Sequence, residues 1–166
     1  MWGKDGISPS DAVQGGLGDC WIIAAAAAVA KDPKRVEDMF LIKELNTAGV
    51  YALNMYVMGI PVTVTVDEFL PFWDDKTDGL IYGSKSPDRA LWMPILEKAG
   101  AKLYGNYEML SGGWMGPAVQ AMTGAPFYTT SHEDMSVDSL WEKIDKALAD
   151  NWMLTAASQT GTGSDQ

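Results

Sequence analysis

The chain has 166 residues, 47% of them apolar, which is enough for one domain, or one domain and part of another, with a real hydrophobic core, and excludes disorder. Its 22 acidic residues against 12 basic ones give a net charge of −10 with no Lys/Arg cluster, which excludes nucleic acid and an anionic membrane surface as partners. A single cysteine excludes an internal disulfide, and without a secretion signal at the amino terminus the expected location is a reducing, cytoplasmic one.

In chain order, residues 1–13 are rich in Gly, Ser, Asp and Pro and read as a loop. Asp19 is placed to cap a helix that starts at Cys20, runs through Ile22, Ile23 and the alanines 24–28, and stops near Lys31, before Asp32-Pro33. Apolar nearly all round, that helix must be buried, and it is too short to be a transmembrane segment. A second short helix is expected over 33–40. The pattern then changes to strands over 50–57 and 62–66, separated by a turn at Gly59-Ile60-Pro61; Val62, Val64 and Val66 share one face and Thr63 and Thr65 the other.

Residues 69–87 read as loop with a short strand at 80–82. Helical spacing returns with Leu91, Trp92, Ile95, Leu96, Ala99 and Leu103 on one face, which puts Glu97, Lys98 and Lys102 elsewhere. A break at Ser111-Gly112-Gly113 precedes a short helix near 117–122 that ends at Thr123-Gly124. Beyond it come a strand at 125–130, a helix capped by Ser136 with Val137, Leu140, Trp141, Ile144 and Leu148 on one face, and a strand at 152–157. The polar, glycine-rich residues 158–166 read as a mobile tail.

The chemistry centres on Gln14-Gly15-Gly16-Leu17-Gly18-Asp19-Cys20-Trp21. A thiol in the first turn of a buried helix lies at the positive end of the helix dipole, beside backbone N–H groups without helical acceptors, which favours the nucleophilic thiolate. The glycines leave the backbone in front of the sulfur unobstructed. The Cys20 N–H and the Gln14 side-chain amide are candidates for an oxyanion hole, where the negative charge that develops on an attacked carbonyl is stabilised.

A phosphate cradle is the rival reading of such a turn. It fails because Trp21 stands where a dinucleotide fingerprint needs its third Gly, no P-loop Lys-Ser/Thr follows, and Asp19 would repel phosphate. Asp74, Asp78 and Gly79 mimic the start of an EF-hand loop, but Lys76 and Lys85 occupy acceptor positions, so a solvated charged loop is expected. The only histidine, His132, sits in the charged, turn-like Thr130-Ser131-His132-Glu133-Asp134 and reads as a surface residue.

Residues 14–21 resemble the nucleophile motif Gln-Gly-x-x-Gly-x-Cys-Trp of the calpain family of cysteine proteases, and three further segments follow in that family's order. These are 64–71 (Val-Thr-Val-Asp-Glu-Phe-Leu-Pro), 91–102 (Leu-Trp-Met-Pro-Ile-Leu-Glu-Lys-Ala-Gly-Ala-Lys), and 104–108 (Tyr-Gly-Asn-Tyr-Glu) with Ser111-Gly112-Gly113. The resemblance implies an α+β, papain-like cysteine protease fold: a mainly helical first lobe with a small antiparallel sheet over 1–124, and the truncated start of a second lobe over 125–166. It implies cysteine endopeptidase chemistry on protein or peptide substrates, with Cys20 as nucleophile, Gln14 as oxyanion donor, and Gly112 and Gly113 offering backbone groups to an extended peptide.

The family's histidine and asparagine belong to Gly-His-Ala-Tyr-like and Asn-Pro-Trp motifs that this sequence lacks, and His132 matches neither. The expectation is therefore little or no hydrolysis by this chain without the remainder of a protease core. The alternative is a non-catalytic module that binds peptides or a partner through an exposed apolar face. Calcium ligands of the family's first site correspond to the Gly6 carbonyl and to Asp11, while Ala90 stands at the partner acid's position, so calcium should bind weakly or not at all.

Overall fold

The computed structural model describes residues 1–73, 79–83, 86 and 89–158. The EF-hand-like positions 74, 76, 78 and 85 lie outside the described residues, as does the tail 159–166.

Helix α1 (Cys20–Ala30) is the centre of the core. Ala25 and Ala26 are fully buried, and their small side chains let α4 (Met115–Thr123) pack closely across the helix. The expectation of all-round burial fails on one stripe. Cys20 and Ala24 are exposed and Ala27 and Ala28 half-buried, four positions at helical i, i+4, i+7 and i+8 spacing that leave one face open.

Helix α2 (Pro33–Met39) starts at a true cap, where the Asp32 carboxylate accepts the Lys34 N–H at 3.2 Å, and buries Val36 and Met39 against α1. Strands β1 (Val50–Val57) and β2 (Ile60–Asp67) form an antiparallel hairpin in which Leu53 faces Val64 and Tyr51 faces Val66, all buried. Thr63 and Thr65 are exposed on the opposite face, as the alternation requires. The turn itself is Met58-Gly59, not Gly59-Ile60-Pro61. Both residues have positive φ (52° and 81°), the two-residue geometry that matches strand twist, and Pro61 lies inside β2 opposite Tyr56.

Helix α3 (Trp92–Tyr104) lies over β2, tied by the Lys102 ammonium to Thr65 O at 2.6 Å and by Lys98 to the Asp67 carboxylate. Lys98 holds the Asp67 carboxyl below the usual carboxylate range. Contrary to the single-face reading, α3 is buried nearly all round in its first half: Trp92, Met93, Pro94, Ile95, Leu96 and also Glu97.

Gly124 ends α4 in the left-handed conformation, with its N–H on Gln120 O. Beyond it, 125–131 and 152–158 have no regular secondary structure, and neither forms a strand within the described residues, because a strand exists only by pairing its backbone groups with a neighbour. Residues 80–82 likewise make only a single bridge, Leu80 with Phe72. Helix α5 (Val137–Ala149) is capped by Ser136, whose hydroxyl accepts the Ser139 N–H. Its apolar face is only partly covered: Val137, Trp141 and Leu148 are all more than half exposed, while Leu140 and Ile144 are half-buried. Among the described residues no helix is long and apolar enough to cross a membrane.

Candidate active site

The loop that delivers Cys20 to the start of α1 is held at each glycine. The Gly16 N–H donates to Ile81 O at 2.8 Å, and a Cβ on Gly15 would stand 2.6 Å from Tyr82 O, so the 81–82 backbone lies directly against the loop. On its other side Gly18 O accepts the Gly112 N–H at 2.8 Å, and a Cβ on Gly18 would stand 3.0 Å from the Ser111 hydroxyl. The Gln14 side-chain amide donates to Leu17 O at 2.6 Å, which fixes the Nε2 end within its own loop. An amide NH₂ carries two hydrogens, so this bond does not exhaust it.

Trp21 ties the 110–113 segment to the cysteine. Its buried indole N–H donates to Leu110 O at 2.8 Å, its ring meets Tyr104 edge-on, and a Cβ on Gly113 would lie 2.4 Å from the ring. Gly112 is therefore bonded to Gly18, two residues before the exposed Cys20, and Gly113 packs on Trp21, the residue after it. Since the Gly112 N–H is committed to Gly18 O, the expectation that Gly112 offers its backbone to a peptide narrows to its carbonyl.

Beneath the loop lies a buried acidic pair. Asp19 occupies the cap position of α1, but its side chain makes no capping bond and is fully buried. It lies in hydrogen-bonding contact with the carboxyl of Glu97, also buried, whose Oε1 accepts the Gly83 N–H at 2.9 Å. Burial first, then the neighbouring Asp19, pushes Glu97 up to about 8, and burial also raises Asp19. Tyr107, stacked on Tyr82 at 4.3 Å, is pushed up mainly by burial and then by the Glu97 charge.

The single-face reading of α3 missed Glu97. The available signal was the run Trp92-Met93-Pro94-Ile95-Leu96, which leaves the first turns of the helix no polar side, so an acid directly after it is drawn inward.

His132 opens a short 3-10 turn, His132–Asp134, and is exposed; among the described residues no hydrogen bond joins it to Cys20. Of the calcium-ligand positions, Asp11 and Ala90 lie at the start of α3. Asp11 Oδ2 accepts both the Trp92 indole N–H at 2.8 Å and the Ser8 N–H at 2.9 Å, and the Leu91 N–H bonds Met1 O. Trp2 packs edge-on against Phe40. Gly6 has φ +81, and Ala90 is buried with its N–H on the Ser86 hydroxyl at 2.7 Å. One carboxylate already accepting two donors, a carbonyl and a methyl do not fit the six to eight oxygen ligands that calcium takes. Among the described residues no three or more His, Cys, Asp or Glu side chains gather in a metal-holding group.

The sequence profile of calpain family cysteine proteases matches residues 1–166. The chain belongs to the calpain family. Among its curated relatives, the maize calpain-type cysteine protease DEK1 is 30% identical over 162 residues, covering 94% of this chain and 7% of that protein. Calpain-5 of Caenorhabditis elegans is 36% identical over 127 residues, 72% of this chain and 19% of that protein. The rat calpain-1 catalytic subunit is 36% identical over 123 residues, 72% and 17% of the two chains. The chain thus spans less than a fifth of the length of each of these proteins. Calpain-family cysteine proteases are peptidases, and among the described residues the helices with one two-stranded antiparallel sheet accord with an α+β papain-like lobe of such a core.

Proposed function

We propose that this calpain-family chain forms the nucleophile-bearing part of a cysteine endopeptidase core. The observation that supports the reading is the exposed Cys20 at the first residue of α1, with the Gln14 loop on one side and the Gly112-Gly113 segment on the other. The Cys20 sulfur attacks a peptide carbonyl carbon, and the carbonyl electron pair moves to oxygen, where the Cys20 N–H and the Gln14 amide stabilise it. Collapse expels the amine, which needs a proton, and leaves a thioester that water hydrolyses. The extended peptide pairs with the Gly112 carbonyl and the Gly113 backbone, close approach being allowed by the absence of side chains. The proton is carried by a histidine from the family's Gly-His motif, which this sequence does not contain.

Residues 1–124 act as the first subdomain and 125–166 as the beginning of the second, whose remaining core covers the apolar face of α5. The exposed part of that face favours a second reading, a non-catalytic module that binds a partner there. Turnover of a fluorogenic peptide separates the readings. The chain alone is expected to show little or none, and turnover that Cys20→Ala abolishes would show a complete site in this chain. If His132→Ala alone abolished it, the assignment of the base to the family motif would be wrong.

The same reading keeps calcium out of the mechanism. Millimolar calcium should raise the melting temperature by less than about 1 °C, a much smaller shift than a well-occupied site gives. Ala90→Glu supplies the missing carboxylate and should make melting calcium-dependent. A large calcium shift in the unsubstituted chain would contradict the ligand reading.

A further inference from the structure

We propose that Asp19 and Glu97 are positioning residues for Cys20: sharing one proton, they clamp the nucleophile loop against α3 and against segment 81–83. The inference adds to the reading of Cys20 as nucleophile and rests on it for its functional meaning.

The geometry is a closed circuit. The loop is fixed to segment 81–83 through the Gly16 N–H on Ile81 O, and that segment is fixed to α3 through the Gly83 N–H on Glu97 Oε1. A Cβ on Gly83 would stand 2.9 Å from Glu97 Oε2, so the carboxyl lies flat against this glycine. Asp19, immediately before Cys20, closes the circuit by meeting the same carboxyl. Neither Asp19 oxygen meets a conventional donor among the described residues. Two ionised carboxylates cannot bond to one another, and in a dry interior they repel. A single proton turns the contact into a charge-assisted O–H···O⁻ hydrogen bond, with Glu97 donating and Asp19 accepting.

The groups that face the pair accord with a shared proton. Tyr107 and Tyr82, stacked on one another beside it, bring no cation to it, and among the described residues the Tyr107 hydroxyl is buried without a hydrogen-bond partner. Lys98, the next residue on α3, is turned away to the Asp67 carboxylate and to Phe69 O. Asp19 is the charged group that acts on Glu97, which burial and this neighbour push up to about 8. The clamp is therefore intact in acid and at neutrality and opens as pH rises past that value, when both acids ionise next to the Asp19-Cys20 joint.

Two readouts on this chain test the proposal. With carbon-13 in glutamate side-chain carboxyls, one resonance should titrate near 8, vanish in Glu97→Gln and move to lower pH in Asp19→Asn. If every glutamate titrates in the ordinary carboxylate range, no proton is shared and the proposal falls. The second readout is the rate of Cys20 alkylation by iodoacetamide. Glu97→Gln keeps an N–H donor for Asp19 and an acceptor for Gly83 but cannot ionise. Its rate should match that of the unsubstituted chain within about twofold near pH 6.5 and differ by about threefold or more near pH 9. A ratio that stays constant across this range would overturn the positioning role. Neither readout involves peptide hydrolysis, so an absence of protease activity would count against the function proposed above and not against the clamp.

Discussion

Gly113→Ala should destabilise the protein by about 1–3 kcal/mol, the usual cost of forcing a methyl into a filled core. The new Cβ would lie 2.4 Å from the Trp21 ring, and the ring cannot easily retreat, because its N–H is held by Leu110 O and its edge by Tyr104. In a chain of this size that corresponds to a drop of roughly 2–4 °C in melting temperature per kcal/mol. Two comparisons isolate the cause. Gly112→Ala meets nothing within 4 Å and suffers only its positive φ of +80, a penalty of about 1–2 kcal/mol without displacement of Trp21. In a Trp21→Leu background the Gly113→Ala cost should shrink, since the two residues then no longer collide. An equal cost in both backgrounds would show that Trp21 does not set the requirement for glycine. Because the same indole holds the 110–113 segment next to Cys20, Gly113→Ala should also change the reactivity of the thiol.

The second large effect is on stability as a function of pH. Glu97 rises from an ordinary 4.5 to about 8 on folding, so between these values the folded chain holds a proton that the unfolded chain has released. The associated stability is present in full below pH 4.5 and is lost as pH rises through about 8; the raised Asp19 acts in the same direction. Other carboxylates titrate too, so the informative quantity is the difference between the unsubstituted chain and Glu97→Gln in urea unfolding. The glutamine variant should gain on the unsubstituted chain steadily across this window, by up to a few kcal/mol. Glu97→Ala should be worse than either, costing about 3–5 kcal/mol, because it strands a buried Asp19 carboxylate and the Gly83 N–H. A difference between the chain and Glu97→Gln that does not vary with pH would mean that Glu97 folds with its ordinary affinity for protons.

These residues also mark where the fold could be read from the sequence and where it could not. Local signals sufficed for α1, because Asp32-Pro33 ends it, and for the hairpin, because the Val/Thr alternation over 62–66 fixes one buried face. The Met58-Gly59 turn was shifted because Pro61 looks like a turn residue and yet is tolerated in the strand opposite Tyr56. Helical periodicity sets Glu97 off the apolar face of α3 because it counts apolar residues and is blind to an acid drawn into the core. Asp19 looked like a cap because caps are acidic; its partner lies on α3, 78 positions further along the chain, and no local pattern could reveal it. The irregular stretches 125–131 and 152–158 carry strand-like sequence, but pairing is a tertiary matter that residue preference does not settle.

At the candidate site, the position of Cys20 at the head of α1 was legible from the glycine-rich approach. The anchoring of Gly112 on Gly18, of Trp21 on Leu110 and of Gly16 on Ile81 was not, because each joins segments distant in the chain.

That this loop makes Cys20 a nucleophile directed at peptides is put to the test by covalent labelling. The chain is incubated with a peptidyl vinyl sulfone, and the modified residue and its rate are read by mass spectrometry against a cysteine-containing peptide of the same flanking sequence. A single adduct is expected, on Cys20, formed about tenfold or more faster than on the free peptide. Labelling no faster than that of the free peptide would contradict it.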